Sequence, residues 1–82
     1  MKRALIPNAN IRGVEKKSNQ KGGQYLLVRY EEDGTGAPQT IVDKDLEREP
    51  YYKRDKIMDL TITIDEGKNY TTIRVIDAKE VK

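Results

Sequence analysis

The sequence predicts an all-β fold, a small barrel of five strands, and three observations predict it. Apolar residues recur at every second position in short runs such as Met58, Leu60, Ile62 and Ile64, the pattern of a strand with one buried face. Polar, mostly glycine-bearing segments separate these runs at short intervals, as hairpin turns do. The chain has 82 residues, too few for two cores, so 1–82 is read as a single domain.

The first strand is expected over Ala9–Ser18, with Ile11 and Val14 as its apolar residues. Gly13 interrupts it where a bulge or tight bend would suit a curved barrel strand. Ser18 to Gly23 is turn chemistry, because paired glycines accept the positive φ of a hairpin reversal. A second strand over Gln24–Glu31 points Leu26, Val28 and Tyr30 one way and Tyr25, Leu27 and Arg29 the other. A loop from Glu32 to Pro38, carrying Asp33-Gly34 and Gly36, leads to a short third strand over Gln39–Asp43. Lys44 to Glu49 reads as a connecting helical turn with Asp43 as N-cap, stopped by Pro50. The fourth strand, Lys56–Asp65, places Met58, Leu60, Ile62 and Ile64 opposite Asp59, Thr61, Thr63 and Asp65. After the turn Glu66-Gly67-Lys68-Asn69 a last strand covers Tyr70–Ala78, where Thr71, Ile73 and Val75 alternate with Tyr70, Thr72 and Arg74. Five such strands fit a small five-stranded Greek-key barrel of the OB type, and an SH3-like barrel would read almost the same.

Composition narrows the function by exclusion. With no Cys and no His, the chain has no disulfide framework, no zinc site with Cys or His ligands, no thiol nucleophile and no histidine acid–base catalysis. Apolar residues are 35% and charged residues 37%, which implies a thin core under an ionic surface. Apolar runs of only a few residues resemble neither a membrane span nor a signal peptide, so a cytoplasmic protein with no membrane partner is expected. The net charge of +2 conceals an uneven distribution. Residues 1–30 carry Lys2, Arg3, Arg12, Lys16, Lys17, Lys21 and Arg29 against Glu15 alone, whereas 31–49 carries seven acids against Lys44 and Arg48. A basic third beside an acidic stretch suggests one face for a polyanion and another that repels it; a mixed, solvated surface is the plainer reading.

All five aromatic residues are tyrosines: Tyr25, Tyr30, Tyr51, Tyr52 and Tyr70. Exclusive use of an amphipathic ring implies that several rings meet water or a polar ligand. Single-stranded nucleic acid needs cations for its phosphates and flat rings for its bases, and the stretch from Arg12 to Arg29 supplies both. The expected phosphate contacts are Arg12, Lys16, Lys17, Lys21 and Arg29, with Tyr25 as a stacking ring and Leu27 as its apolar support. Tyr25 could equally be a half-exposed strand tyrosine that covers a neighbour. Tyr51 and Tyr52 are adjacent, so on an extended chain they face opposite ways and one lies outside. Tyr52 is taken as the second stacking ring, while Lys53 and Arg54 read equally well as solvated charges.

Ser18, Gln20, Gly22-Gly23-Gln24-Tyr25 and Leu27, with Pro50-Tyr51-Tyr52 and Leu60-Thr61-Ile62 later, resemble the small homodimeric single-stranded-DNA-binding proteins of filamentous phages. The resemblance runs from Lys16 to Val81 in length, strand order and turn placement. It implies that Tyr25 and Leu27 face DNA, that two subunits hold two antiparallel strands, and that the protein protects single strands in phage or plasmid replication. Two features depart from the family. Its late hairpin carries an aromatic where this turn reads Asp65-Glu66-Gly67-Lys68-Asn69, which leaves that role to Tyr70 or to none, and the third-strand region is shorter and more acidic.

A homodimer also follows from size, since so short a chain without disulfide or metal staples buries little surface alone, and the strand Met58–Ile64 is the expected contributor. Asp43, Asp45, Asp65 and Glu66 are the only basis for an enzyme, through a Mg²⁺ site, and they have no recognisable spacing. No enzyme, no cofactor, no metal and no small-molecule substrate are therefore expected. The competing readings are a protein-interaction module that docks a basic partner on residues 31–49, and a small RNA-binding barrel. Absence of Phe and Trp clusters tilts the nucleic-acid reading toward DNA. The ending Ala78-Lys79-Glu80-Val81-Lys82 has no acidic tip, so recruitment of repair enzymes through such a tail is not expected.

Overall fold

The computed structural model describes residues 2–32 and 36–81. Its strands are β1 (Lys2–Ser18), β2 (Gln24–Glu31), β3 (Pro38–Asp43), β4 (Ile57–Glu66) and β5 (Thr71–Glu80), with a 3-10 turn over Leu46–Tyr51. They form a closed barrel in the order β1-β2-β3-β5-β4, in which β4 pairs back onto β1 and β3 pairs with β5 in parallel. The expected loop before β3 includes residues 33–35, which lie outside the described residues.

β1 explains the closure. It begins at Lys2 rather than Ala9 because its first half pairs with β4, from Lys2 opposite Ile64 to Asn10 opposite Ile57, and its second half with β2. The alternation that would have marked the first half is blurred by Leu5, which faces outward and is 57% exposed. Two bulges bend the strand. Pro7 and Asn8 together oppose Asp59, with Asn8 at φ 53° and its N–H donating to Asp59 Oδ1 at 3.0 Å. Arg12 is the extra residue between the Ile11–Tyr30 and Gly13–Arg29 pairs, so the irregularity expected at Gly13 is present one residue earlier. Around the wall, Glu15 lies opposite Leu27, Leu27 opposite Val42, Val42 opposite Arg74, Arg74 opposite Thr63 and Thr63 opposite Arg3. This level of the barrel returns to its starting strand much nearer the N-terminus, the stagger that closure requires.

The inward row Leu26, Val28 and Tyr30 of β2 is buried as the alternation predicts, and so are Met58, Leu60 and Ile62 of β4. Those three β4 side chains are buried in the barrel's own core, which takes up the apolar surplus that the strand was expected to offer to a second subunit. In β5 the extra residue Ile76 shifts the phase, so Val75 and Ala78 both face inward although they are three apart. Ile73, expected to share the inward face with Val75, sits beyond the packed part of the barrel and is exposed.

The connector also departs from expectation. Asp45, not Asp43, is the N-cap, with its carboxylate accepting from Glu47 N–H at 3.0 Å. Pro50 lies inside the 3-10 turn rather than ending it at Glu49, since its φ suits that geometry and it forfeits only one donor. Asp43 ends β3 fully buried. It accepts from the Tyr52 hydroxyl at 2.5 Å, from Arg48 Nη1 at 3.0 Å and from Asp45 N–H at 2.9 Å. Arg48 also donates through Nη2 to the Ile76 carbonyl of β5. The cluster thus ties β3 to β5 across a seam where only Val42–Arg74 and Asp43–Val75 pair.

Candidate nucleic-acid interface

The outer face of β2 carries Tyr25, Leu27 and Arg29 in one row, as its alternation requires, while Tyr30 points inward. Across β1, Lys17 stands opposite Tyr25, Glu15 opposite Leu27 and Gly13 opposite Arg29; across β3, Val42 stands opposite Leu27 and Thr40 opposite Arg29. Leu27 and Val42 therefore form an apolar strip beside the Tyr25 ring. Gly13 leaves room for Arg29 to lie across β1, since a Cβ there would stand 3.1 Å from Arg29 Nη2.

The hairpin beside this row is held by Asn19, whose Oδ1 accepts from the N–H of Lys21 at 3.0 Å and of Gly23 at 2.9 Å. The two glycines have different tasks. Gly22 supplies the positive φ of 85°, whereas Gly23 makes space, because a Cβ would lie 2.8 Å from the Asn19 amide nitrogen.

Of the five expected phosphate contacts, three are engaged. Glu15 pairs with Lys17 at 3.1 Å and with Arg29 at 3.4 Å. The Lys17 hydrogen bond and charge, and then the Arg29 charge, hold the Glu15 carboxyl below its ordinary range. Arg12 sits between Glu31 at 3.4 Å and Asp55 at 2.9 Å. Lys16 and Lys21 are exposed, and neither makes an ion pair among the described residues. Lys16 faces Leu26, which puts it on the inward side of β1 at the barrel mouth and away from the Tyr25 row, a correction forced by strand alternation.

The tyrosine pair divides as adjacency demands, with the roles reversed. Tyr51 is exposed and Tyr52 is 3% exposed, its hydroxyl bound to Asp43, so Tyr52 has no free face for a base and is removed from the stacking set. Burial and the Asp43 carboxylate push its phenol far above the ordinary tyrosine range. Tyr70, in the late turn, is 72% exposed.

Arg54 is more than the solvated charge its place in the chain suggests. The loop before β4 docks on β1 through Asp55 N–H to the Ile11 carbonyl at 2.7 Å and Ile11 N–H to the Lys56 carbonyl at 2.8 Å. This brings Arg54 to a groove of about 560 Å³ that Arg12 and Arg29 also line, with Thr40, Gln39 and Pro38 on its β3 side. Arg12 reaches the groove because it is the bulged residue. No local pattern marks this convergence of three arginines, since it depends on a contact between residues more than forty apart.

Among the described residues of the acidic stretch 31–49, Asp43 is buried, and Glu31 and Asp45 pair with Arg12 and Arg48. Among the described residues no group of three or more His, Cys, Asp or Glu is arranged to hold a metal ion, and no helix is long and apolar enough to cross a membrane. Fold and site together define an all-β, five-stranded barrel whose outer wall presents a ring, an apolar strip and an arginine-lined groove in succession. Comparison with known proteins finds no matching family model, no matching curated protein and no matching solved structure.

Proposed function

We propose that the protein binds single-stranded DNA with little sequence preference, as an OB-type barrel that covers single strands during phage or plasmid replication. The observation that carries this reading is the continuity of Tyr25, Leu27 and Arg29 with the Arg12–Arg29–Arg54 groove on one outer surface. A base stacks on Tyr25 against the Leu27–Val42 strip, while the arginines take phosphates. The ion pairs of Glu15 do not oppose this, because exposed pairs are worth little in water and a phosphate can replace the carboxylate. Arg54 joins the phosphate set, and Lys16 and Tyr52 leave the contact set. Two subunits bind together, which raises apparent affinity by linking two weak sites.

The test is a fluorescence titration with single-stranded DNA, duplex DNA and RNA of equal length. The expected order is single-stranded DNA, then RNA, then duplex, with a log–log salt slope of about −0.7 per phosphate contacted. A slope near zero, or equal affinity for the duplex, would overturn the reading. Sedimentation in the presence of DNA reads the dimer: a protein that binds as a monomer removes that part alone.

A further inference from the structure

A second set of residues on the outer wall has polar atoms without partners among the described residues. Thr63 faces outward, between the inward Ile62 and Ile64, yet is only 1% exposed. Directly opposite it stand Arg3 on β1 and Arg74 on β5. The Thr63 hydroxyl and Arg74 Nε are both buried, and neither has a hydrogen-bond partner among the described residues. Among the described cations that are at least partly buried, Arg48 meets Asp43 and Lys56 meets Glu80, but Arg74 meets no carboxylate. Asp65 and Glu66 line the same pocket as Arg74, with Lys44, and Asp77 stands opposite Thr61, but none of the three carboxylates pairs with Arg3 or Arg74 among the described residues; Glu66 pairs with Lys2 instead.

A half-buried guanidinium and a buried hydroxyl without partners are costly, and a native fold keeps such groups where something else satisfies them. The two guanidinium groups offer donors only and the hydroxyl between them can donate as well, which favours an anion, and a phosphate with several acceptor oxygens suits the forked guanidinium donors. The site is continuous with the proposed DNA surface: Arg74 stands opposite Val42, and Val42 opposite Leu27. Strand spacing puts Arg74 about 10 Å from the Leu27 row.

We infer that Arg3, Thr63 and Arg74 form a second phosphate-binding site, which receives a phosphodiester of the same strand after it crosses the Leu27–Val42 strip. The identity of that ligand rests on the DNA reading; the phosphate site itself does not. Its path takes the strand around the wall over β3, β5 and β4 rather than along the β1–β2 hairpin alone.

Inorganic pyrophosphate is titrated into the full chain while the amide resonances of Thr63 and Arg74 and the Arg74 Nε–H resonance are followed. Saturable shifts at these positions are expected. In parallel, oligothymidylate binding is measured for Arg74→Gln and for Arg3→Gln with Arg74→Gln. The salt slope should become shallower by about 0.7 for each phosphate no longer neutralised. Stacking at Tyr25, read by fluorescence quenching, should be unchanged. Arg74→Lys, which keeps charge but removes the fork, should weaken pyrophosphate binding and serves if Arg74→Gln does not fold. If the wild type binds the oligonucleotide while the variants keep its slope and pyrophosphate shifts nothing, the second site is overturned and the DNA reading stands. If the wild type ignores the oligonucleotide but pyrophosphate shifts these resonances, the DNA reading falls and the phosphate site stands.

Discussion

Two ion clusters in this barrel use the same chemistry, a carboxylate shared between an arginine and a second donor, and differ in where the wall places them. Asp43 is fully buried between Arg48 and the Tyr52 hydroxyl, at the seam that joins β3 to β5. Glu15, whose side chain is 44% exposed, lies on the outer wall between Lys17 and Arg29. Around Asp43 the partners are not exchanged for water, so removing one leaves a buried polar group short of a partner. Around Glu15 water and salt screen every partner, so the cluster adds little to stability and can be traded for a phosphate. Burial, not residue type, makes one cluster a clasp and leaves the other available to a ligand.

The sharpest way to break this contrast is Asp43→Ala, which takes the buried acceptor from the Tyr52 hydroxyl and leaves Arg48 only the more exposed Asp45 and the Ile76 carbonyl; it should cost about 3–5 kcal/mol, read as a lower midpoint in urea unfolding. A loss below about 1 kcal/mol would mean that the seam does not depend on the cluster.

Tyr52→Phe removes one donor from Asp43 and should cost about 1–3 kcal/mol in the same measurement without changing DNA affinity. It carries a pH signature as well. The folded state raises the Tyr52 pKa above its ordinary 10.0, so its contribution is fully present below pH 10 and is lost as the pH rises beyond it. The variant should therefore lose stability less steeply above pH 10 than the wild type does. Equal slopes would show that the phenol keeps no special environment.

On the outer wall the readout moves from stability to binding. Tyr25→Ala should lose about 1–3 kcal/mol of single-strand affinity while the unfolding midpoint stays near that of the wild type. Unfolding by this change would make Tyr25 a packing residue and end its stacking role.

The smallest effect belongs to Glu15→Gln. Its lowered pKa means that its contribution is present above the ordinary carboxyl value of 4.5 and lost as the pH falls below it, so at neutral pH the variant mimics acid. Stability should hardly change. Freed Lys17 and Arg29 should bind single strands more tightly, with a salt slope steeper by about 0.7 for each further phosphate neutralised. Weaker binding would show that Glu15 positions these cations rather than occupying them.

Much of this protein is local, and the sequence by itself determined that part. Strand periodicity assigned β2 to the residue and put Leu26, Val28 and Tyr30 inside with Tyr25, Leu27 and Arg29 outside, because successive side chains on a strand must alternate. The same logic marked the core of β4, and turn chemistry located the Asn19–Gly23 reversal. Adjacency required one of Tyr51 and Tyr52 to be inside, but not which one. That choice needed Asp43, nine residues away and turned inward by the end of β3, to offer the Tyr52 hydroxyl a buried acceptor. Closure was equally invisible: the first half of β1 is a strand because β4 lies beside it, and its own pattern is too weak to say so. The arginine groove and the Arg3–Thr63–Arg74 row are products of bulges and register, which bring distant residues to one wall. Period and turn chemistry are properties of neighbours along the chain, whereas partners, burial and shared surfaces are properties of neighbours in space, and only the closed barrel decided those.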